Sequence, residues 1–578
     1  MDKARISELL EEIALLKSLL GENEFKIRAY SAAAHAILTT DLDVAILAAK
    51  GELGSIKGVG EHIAQNITLF ISAGTSPDLD ELRSQVPQGV IGMLSIPGLG
   101  PKKARALWTE LGIKSVGELE YACAQNRLAE HKGFGEKSQS KIAGGIVSMR
   151  KFAERFLLPD AVDAAQTALA HIGGEKSVIR AAIAGSIRRG KETVKDVDIV
   201  ASSGEPEKVM KRFVGSPGVT QVIASGPTKT SIRLAMGIQI DLRVVADAEF
   251  PFALLHFTGS KEHNTAIRSR ALGLGMKLNE YGLFRGEERI DCVGEPAIFK
   301  ALGLGYIPPE RREDIGEIAE AEGGAEPQLV TLKDIRGLFH VHTTASDGME
   351  TLEAMARGCI ERGWEYMGVA EHSRSANYAG GLSIDALRKQ GDQIGKLNKK
   401  LGGFIIFKGV ESDILEDGSL DYPDEVLDEL DFVIASVHTP HRKDDEARMT
   451  RRIISAVMSP YTTMLGHPTG RLLLARDPYP VNMADLIDAC AKNNVIMELN
   501  ANPHRLDIDW REIGKAKKAG LTFSINPDAH RIPGLDHVHY GVTTARKGGL
   551  APGMVFNTQS AIDVAHALAA RRRDRLGK

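Results

Sequence analysis

Apolar positions follow three rhythms along the chain. Residues 1–85 space them as short helices do: Met1–Lys26 alternates acids, bases and leucines, predicting an amphipathic helix, and Glu61–Phe70 predicts another. From Lys151 the rhythm mixes helix and strand. Ala161–Ile172 reads as a helix and Val178–Ala184 as a strand, and Ser231–Val245 reads as two strands flanking Met236-Gly237. Lys261–Leu272 returns to helical spacing. Pro308–Gln328 is acidic and rich in Ala, Glu and Gly, with Pro308-Pro309 before it and Gly323-Gly324 inside it. That is linker composition and the best domain boundary in the chain. Beyond it, short solid apolar runs alternate with helical segments such as Met349–Arg362 and Asp477–Lys492.

Composition narrows this little. The 578 residues suggest roughly three to five domains or subdomains. At 43% hydrophobic and 26% charged, the balance is that of a soluble globular protein. A net charge of −4 excludes a global basic field, so any nucleic-acid contact must be local. Cys123, Cys292, Cys359 and Cys490 are far apart and form no Cys-x-x-Cys, which speaks against a disulfide framework or a thiolate zinc site. No signal-like apolar core or membrane-length apolar run occurs, and the expected location is cytoplasmic.

The chemistry begins at Gly185–Val200. A small-residue turn, Gly185-Ser186, precedes two arginines, and Asp196 and Asp198 follow two apart in an apolar run. Strand residues at i and i+2 share a face, so the two carboxylates emerge side by side. A divalent cation offsets the cost of that pairing. Backbone amides near Gly185, with Ser186 and an arginine, suit a phosphate chain. Asp241, on the alternating run Ile238–Val245, offers a third carboxylate from a neighbouring strand. Upstream, Leu53–Gly60 and Leu94–Ala104 repeat one grammar: apolar, small, Gly-x-Gly, then a helix start. Lys132–Lys137 is a weaker echo. Gly58, Gly60, Gly98 and Gly100 permit tight hairpins whose following helix starts grip a DNA phosphate, with Lys102 and Lys103 as added contacts.

Taken with Glu22–Tyr30 and Phe257-Thr258-Gly259-Ser260, these stretches, in this order, resemble the family-X (polymerase-beta-like) DNA polymerases of bacteria and archaea. The resemblance implies a helix-hairpin-helix N-terminal domain at 1–85 and a second such subdomain at 86–152. A nucleotidyltransferase palm, a mixed sheet with helices, follows at 153–247, then a thumb at 248–316 and a linker at 317–334. It makes Asp196, Asp198 and Asp241 the catalytic ligands of two Mg²⁺ ions, hard cations that prefer oxygen. Gly185, Ser186, Arg189 and Arg155 become triphosphate contacts, Phe257 a contact of the incoming sugar and Gly259 a further substrate-binding residue. Asn264 and Arg268 fall near the new base pair, and Arg188 is left as structural. Deoxyribose-phosphate lyase chemistry by the usual residue does not carry over, because Asn66 and His62 stand where family members place lysines, and lyase activity by another residue stays open. His256-Phe257 replaces the usual aromatic pair and leaves ribonucleotide discrimination open.

The last segment has its own chemistry. Eleven of the 17 histidines lie after residue 335. His340 and His342 repeat the i, i+2 device, with Asp347 in the next loop. His372, Glu411, His438, His467, Asp528 and His530 then fall at successive strand ends, as in a (β/α) barrel whose site gathers at the strands' C-terminal ends. Six histidines and three acids exceed one tetrahedral ion, so two or three ions of Mn²⁺, Zn²⁺ or Fe are expected. The arrangement resembles the PHP (polymerase and histidinol phosphatase) domain, a distorted (β/α)7-type barrel over 335–578 that hydrolyses phosphoesters. Glu371 reads as support for His372.

The expected whole is a multidomain α/β enzyme that fills short gaps in DNA repair by two-metal nucleotidyl transfer and trims 3′ ends in its barrel. Its partners would be gapped or primer-template DNA and deoxynucleoside triphosphates, as a monomer associated with the nucleoid. The rivals are a template-independent nucleotidyltransferase with a barrel phosphatase, and a DNA-end scaffold with one decayed site.

Overall fold

The computed structural model describes residues 3–40, 42–74, 76–124, 128, 134–152, 155–438, 445–474 and 476–577. It divides into two compact units, Met1–Glu154 and Arg155–Lys578. Lys132 and Gly133 of the third hairpin-like stretch, and His441, a histidine outside the nine expected ligands, lie outside the described residues. Among those described, no single helix is long and apolar enough to cross a membrane.

The first unit is helical. The single helix expected over Met1–Lys26 is two, Lys3–Leu20 and Glu24–Thr39. Gly21 breaks it at φ 76°, and Asn23 caps the second helix by accepting from the Phe25 amide at 2.8 Å. Leu10, Ile13, Ile37, Ile67, Leu107 and Ile146 belong to one buried cluster. The two N-terminal domains expected on either side of residue 85 therefore share one core, since pieces this small bury too little alone. In the hairpins Gly58 and Gly98 take φ 98° and 83°, a region costly for other residues. Gly60 and Gly100 cap Glu61–Ala73 and Pro101–Leu111 without any side-chain acceptor, leaving the first-turn amides for an outside oxygen.

The second unit opens with a five-stranded mixed sheet of β1 (Val178–Ile183), β2 (Asp196–Ser203), β3 (Val219–Ser225), β4 (Lys229–Leu234) and β5 (Gln239–Val245), in the order β1-β2-β5-β4-β3. Its parallel pair is β2–β5. Edge strand β3 escaped the sequence reading because it is mostly exposed and lacks a buried stripe. Helices Leu158–Gly173 and Pro206–Val214 cover one face, burying Val197, Ile199, Ile240 and Leu242. The same alternation turns Asp196, Asp198 and Asp241 to the other face.

Helices Phe250–Thr258, Lys261–Gly273 and Glu295–Ala301 and a three-stranded antiparallel sheet follow. The stretch from Pro308, expected as linker, is in its first part folded onto them. Glu317 Oε1 meets His263 Nδ1 at 2.7 Å with both side chains buried, and Ala321 joins the core of Phe252 and Leu283. Arg312 is fully buried and donates to Glu295 at 2.6 Å. Linker composition misled because these few charged side chains have buried partners.

Seven parallel strands then run in chain order: β6 (Gly337–Val341), β7 (Tyr366–His372), β8 (Ile405–Asp413), β9 (Phe432–Ser436), β10 (Met464–Leu465), β11 (Ile496–Asn500) and β12 (Phe523–Asn526). The ring nearly closes where His342 N donates to Ala529 O at 2.9 Å and Ala529 N to His340 O at 3.1 Å. Helices cover it, so its strands are buried on both faces and read as solid apolar runs. Phe339, Tyr366, Phe407, Phe432 and Phe556 form a cluster for which Gly409 leaves room; a Cβ there would lie 2.2 Å from the Phe432 ring.

Candidate active sites

In the palm, strand register does the positioning. Asp198 sits opposite Asp241 on the parallel neighbour, with Asp196 two residues earlier. One cavity of about 510 Å³ is lined by Gly185, Ser186, Arg189, Asp196, Asp198, Phe257, Gly259, Asn264 and Arg268. These residues come from three separate stretches that the sequence had marked. Gly185 adopts φ 61°, and a Cβ there would lie 2.1 Å from Asp198 Oδ2. Only glycine fits this contact, which sets the phosphate-type turn directly on the carboxylate.

Burial, with the charges of Asp196 and Asp241, pushes the Asp198 carboxyl up to about 6. Burial would raise Asp241 too, but bonds from Lys229, Gln239 and Ser231 hold it low. Lys229 Nζ lies 2.6 Å from Asp241 Oδ2. Arg188 and Arg189 diverge. Arg188 donates to Thr258 Oγ1 at 2.7 Å and forks onto Glu295, away from the cavity wall. Arg189 lines the cavity, with Nε 3.1 Å from Glu313 and Nη1 donating to Thr258 O.

Three expected contacts are engaged elsewhere. Arg155 does not line the cavity; its Nε donates to Thr193 Oγ1 at 2.8 Å, and its Nη2 bonds the Thr193 carbonyl. Asn264 Nδ2 donates to His256 O at 2.7 Å, and Arg268 Nη2 to His256 Nδ1 at 2.7 Å. Burial, then Arg268 and Arg243, depress His256, in keeping with a neutral ring that accepts. The Arg243 guanidinium lies 4.3 Å from the Phe257 ring centroid. Lys102 and Lys103 are on helix Pro101–Leu111, Lys102 exposed and paired with Glu24 at 2.7 Å, and Lys103 bonding Ser138 Oγ at 3.3 Å.

The barrel gathers all nine expected ligands. His342, Asp347, His372 and His530 form one set, and His340, His467 and Asp528 another; Glu411 joins His340 with His342, and His372 with His438. Within each set the ligand atoms lie within 4.8 Å of one another. Glu411 is the hub: its oxygens are 2.9 Å from His467 Nε2, 3.0 Å from His372 Nδ1, 3.1 Å from His438 Nε2 and 3.2 Å from His340 Nε2. His340, His467 and Asp528 have φ of 59°, 22° and 51°. Non-glycine residues hold that backbone region only where the surroundings enforce it.

The donor set fits metal ions. His340 Nε2, both ring nitrogens of His342 and Glu411 Oε2 are buried without a hydrogen bond of proper geometry. Such atoms are costly unless a cation satisfies them. Burial would depress His340, yet Glu498, Glu411 and Asp528 hold it well above the usual imidazole range. Buried His342, facing His530 and His372, is pushed down to about 3. One cluster thus mixes strongly proton-binding and proton-refusing rings, a tension that shared cations resolve.

Two orienting acids were missed. Glu498 Oε1 lies 2.6 Å from His340 Nδ1 and is itself held by Asn500 and Asn526, and Asp413 bonds His438 Nδ1. Each turns the other nitrogen of its histidine inward. Asp413 stands two after Glu411 on β8, so the same alternation points to it, whereas Glu498 stands two before Asn500 on β11 and has no expected ligand beside it. Glu371 accepts from Thr343 and Ser346, bracing the loop that carries Asp347 rather than a ligand histidine.

Comparison with known proteins agrees with this pairing of sites. The chain is 38% identical over 568 residues, 98% of its length and 99% of the relative's, to the DNA polymerase/3′-5′ exonuclease PolX of Bacillus subtilis. The chain belongs to the bacterial family-X DNA polymerases that carry a C-terminal PHP domain. Family models match within it: a helix-hairpin-helix domain at 1–76, a SAM-like helix-hairpin-helix tandem at 90–143 and a DNA polymerase beta thumb at 253–313. DNA polymerase lambda of Rattus norvegicus is 25% identical over 53% of this family-X chain and 56% of its own. A probable phosphatase of Caldanaerobacter subterraneus subsp. tengcongensis is 25% identical over 41% of this chain and 92% of its own.

Proposed function

We infer that this protein is a DNA-directed DNA polymerase that fills short gaps in repair and carries a 3′–5′ exonuclease in its barrel. The observation that carries the reading is a barrel cluster of histidines and acids joined to a palm cavity lined by Asp196 and Asp198, in a chain 38% identical over 98% of its length to a polymerase/exonuclease.

In the palm, Asp196, Asp198 and Asp241 would hold two Mg²⁺ ions, which when bound acidify the primer 3′-hydroxyl and neutralise the triphosphate. Ser186, Arg189 and the amides at Gly185 hold the phosphate chain beside Asp198, with which Gly185 is in direct contact. Phe257, backed by Arg243, presents a face to the incoming sugar. Asn264 and Arg268 serve the nascent pair after exchanging their bonds to His256 for bonds to the base edges. Arg188 ties the end of the turn to Thr258 and Glu295, and Arg155 holds Thr193. The hairpin amides after Gly60 and Gly100, with Lys102 and Lys103, hold DNA by its phosphates, which suits an enzyme indifferent to sequence.

In the barrel the nine ligands would hold two or three Mn²⁺, Zn²⁺ or Fe ions, which supply a nucleophile at neutral pH and stabilise charge on the phosphodiester. Glu498 and Asp413 fix the tautomers of His340 and His438. The enzyme works where its DNA is, in the nucleoid.

The test is a time course on a gapped duplex with a labelled 3′ end, in Mg²⁺ or Mn²⁺. Extension with all four nucleotides and shortening without them is the expected result; neither would sink the reading. A second reading, a barrel phosphatase joined to template-independent transfer, draws on the phosphatase relative that aligns over 92% of its own length. Extension without a template strand, and release of phosphate from a 3′-phosphate primer without loss of nucleotides, would favour it.

A further inference from the structure

The barrel helix Val538–Gly548 lies against the palm turn that carries Arg189. Gly190 has φ 65°, and a Cβ on it would sit 2.3 Å from Thr543 Cγ2, so the Thr543 side chain packs directly on the Gly190 backbone. Four residues further along the same helix, the Lys547 side chain is fully buried. Its ammonium donates to Glu313 Oε1 at 2.6 Å and to Arg189 O at 2.9 Å. Glu313 in turn holds Arg189 Nε at 3.1 Å and Lys191 Nζ at 2.9 Å. Three cations from two domains thus converge on one carboxylate. Trp510 of the barrel closes the cluster, its ring centroid 4.7 Å from Lys547 Nζ and 5.2 Å from Lys191 Nζ.

Glu313 needs this support. It follows the short turn Pro309–Arg311, which is pinned from the barrel side as well. Arg546 Nε donates to Glu310 at 2.7 Å, and Arg311 Nη1 to Lys547 O at 3.0 Å. A buried ammonium is costly, and burial pulls Lys547 down to about 8 against the pull of Glu313. A contact made only for adhesion between domains would be cheaper with apolar groups. What the charge adds is orientation. The Arg189 guanidinium reaches the palm cavity with its Nε already committed, so less rotamer freedom is lost when a phosphate binds.

We propose that the barrel completes the polymerase's nucleotide site: Lys547, through Glu313, is a positioning residue that holds Arg189 for the incoming triphosphate. This rests on the reading of Arg189 as a triphosphate ligand, and the test separates the two claims. In the full-length protein, nucleotide KM and kcat would be measured on a gapped substrate for Arg189→Ala, Lys547→Met, Lys547→Arg and Glu313→Gln. Nuclease rate on single-stranded DNA and thermal midpoint serve as fold controls. The expected result is a rise in nucleotide KM of about tenfold for Lys547→Met, the scale of one charge-assisted hydrogen bond, with kcat changed far less. Lys547→Arg should recover part of it, and Arg189→Ala with Lys547→Met should be no worse than Arg189→Ala alone. If Arg189→Ala raises KM while Lys547→Met and Glu313→Gln leave it unchanged, the positioning role is wrong. If Arg189→Ala itself leaves KM unchanged, the triphosphate reading fails and takes this proposal with it. Glu313→Gln keeps the test decisive should Lys547→Met lower the thermal midpoint or the nuclease rate.

Discussion

The palm and the barrel use one device, candidate ligands two apart at one end of a strand, and build opposite sites from it. In the barrel the ligands are mostly buried, and Glu411 touches four histidines. In the palm Asp196 is exposed, Asp198 lies at a cavity wall and Asp241 has taken Lys229 as a partner. Among the described residues, every set of three or more His, Cys, Asp or Glu with ligand atoms within 4.8 Å lies in the barrel. The difference teaches a difference in residence. A pre-clustered set of buried imidazoles suits ions that stay from one turnover to the next. Loosely held carboxylates suit ions that arrive with each triphosphate and leave with each pyrophosphate.

The largest effect should come from emptying each site in turn. His340→Ala with His342→Ala should lower exonuclease activity by about three orders of magnitude or more and leave extension intact; Asp196→Ala with Asp198→Ala should do the reverse. Primer extension and shortening on one labelled duplex read both, and loss of both activities from either variant would break the separation.

Glu498→Gln comes next. It keeps a hydrogen bond to His340 but drops the charge that orients the ring, and it should weaken the barrel's metal affinity by about 10- to 100-fold. Metal titration of the chelator-treated protein, followed by nuclease rate, measures it. Unchanged affinity would mean that ring orientation is set by packing alone.

A smaller effect follows from pH. Asp198 binds its proton more tightly in the folded protein, at about 6 against an ordinary 3.8. In metal-free protein this contributes stability that is fully present below 3.8 and lost as pH rises through 6. Ion binding must expel the same proton, so Mg²⁺ affinity in the palm should fall about tenfold per pH unit below that value. Calorimetric Mg²⁺ titration of the barrel double variant between pH 5 and 7 reads it, and a flat profile would count against the shift. Last, Lys229→Met should free Asp241 and tighten palm Mg²⁺ binding by a few-fold, about the worth of a half-exposed ion pair. Weaker binding would show that Lys229 pre-sets the carboxylate rather than competing for it.

What the sequence made legible was chemistry that strand alternation exposes. Asp196-x-Asp198 and His340-x-His342 declare their faces without a structure, and Ile240-Asp241-Leu242 supplies the third acid by the same rule. Glu498 is less legible than Asp413, because no expected ligand stands two residues from it and orienting a ligand leaves no signature beyond the histidine it serves. Long-range partners were less legible still. Nothing local shows that Lys229 will claim Asp241, or that Glu317 will leave an apparent linker for His263. The helix break at Gly21 was readable, but the leucine rhythm around it outweighed a lone glycine.

The contact between Gly185 and Asp198 sets a tolerance for the polymerase half. The turn proposed for the phosphate end of the substrate and the acid proposed for the metal ion touch, with room for a hydrogen and no more. The spacing between anion and cation is therefore not adjusted by two independent arms. It is machined into one joint, which a single methyl group would force open.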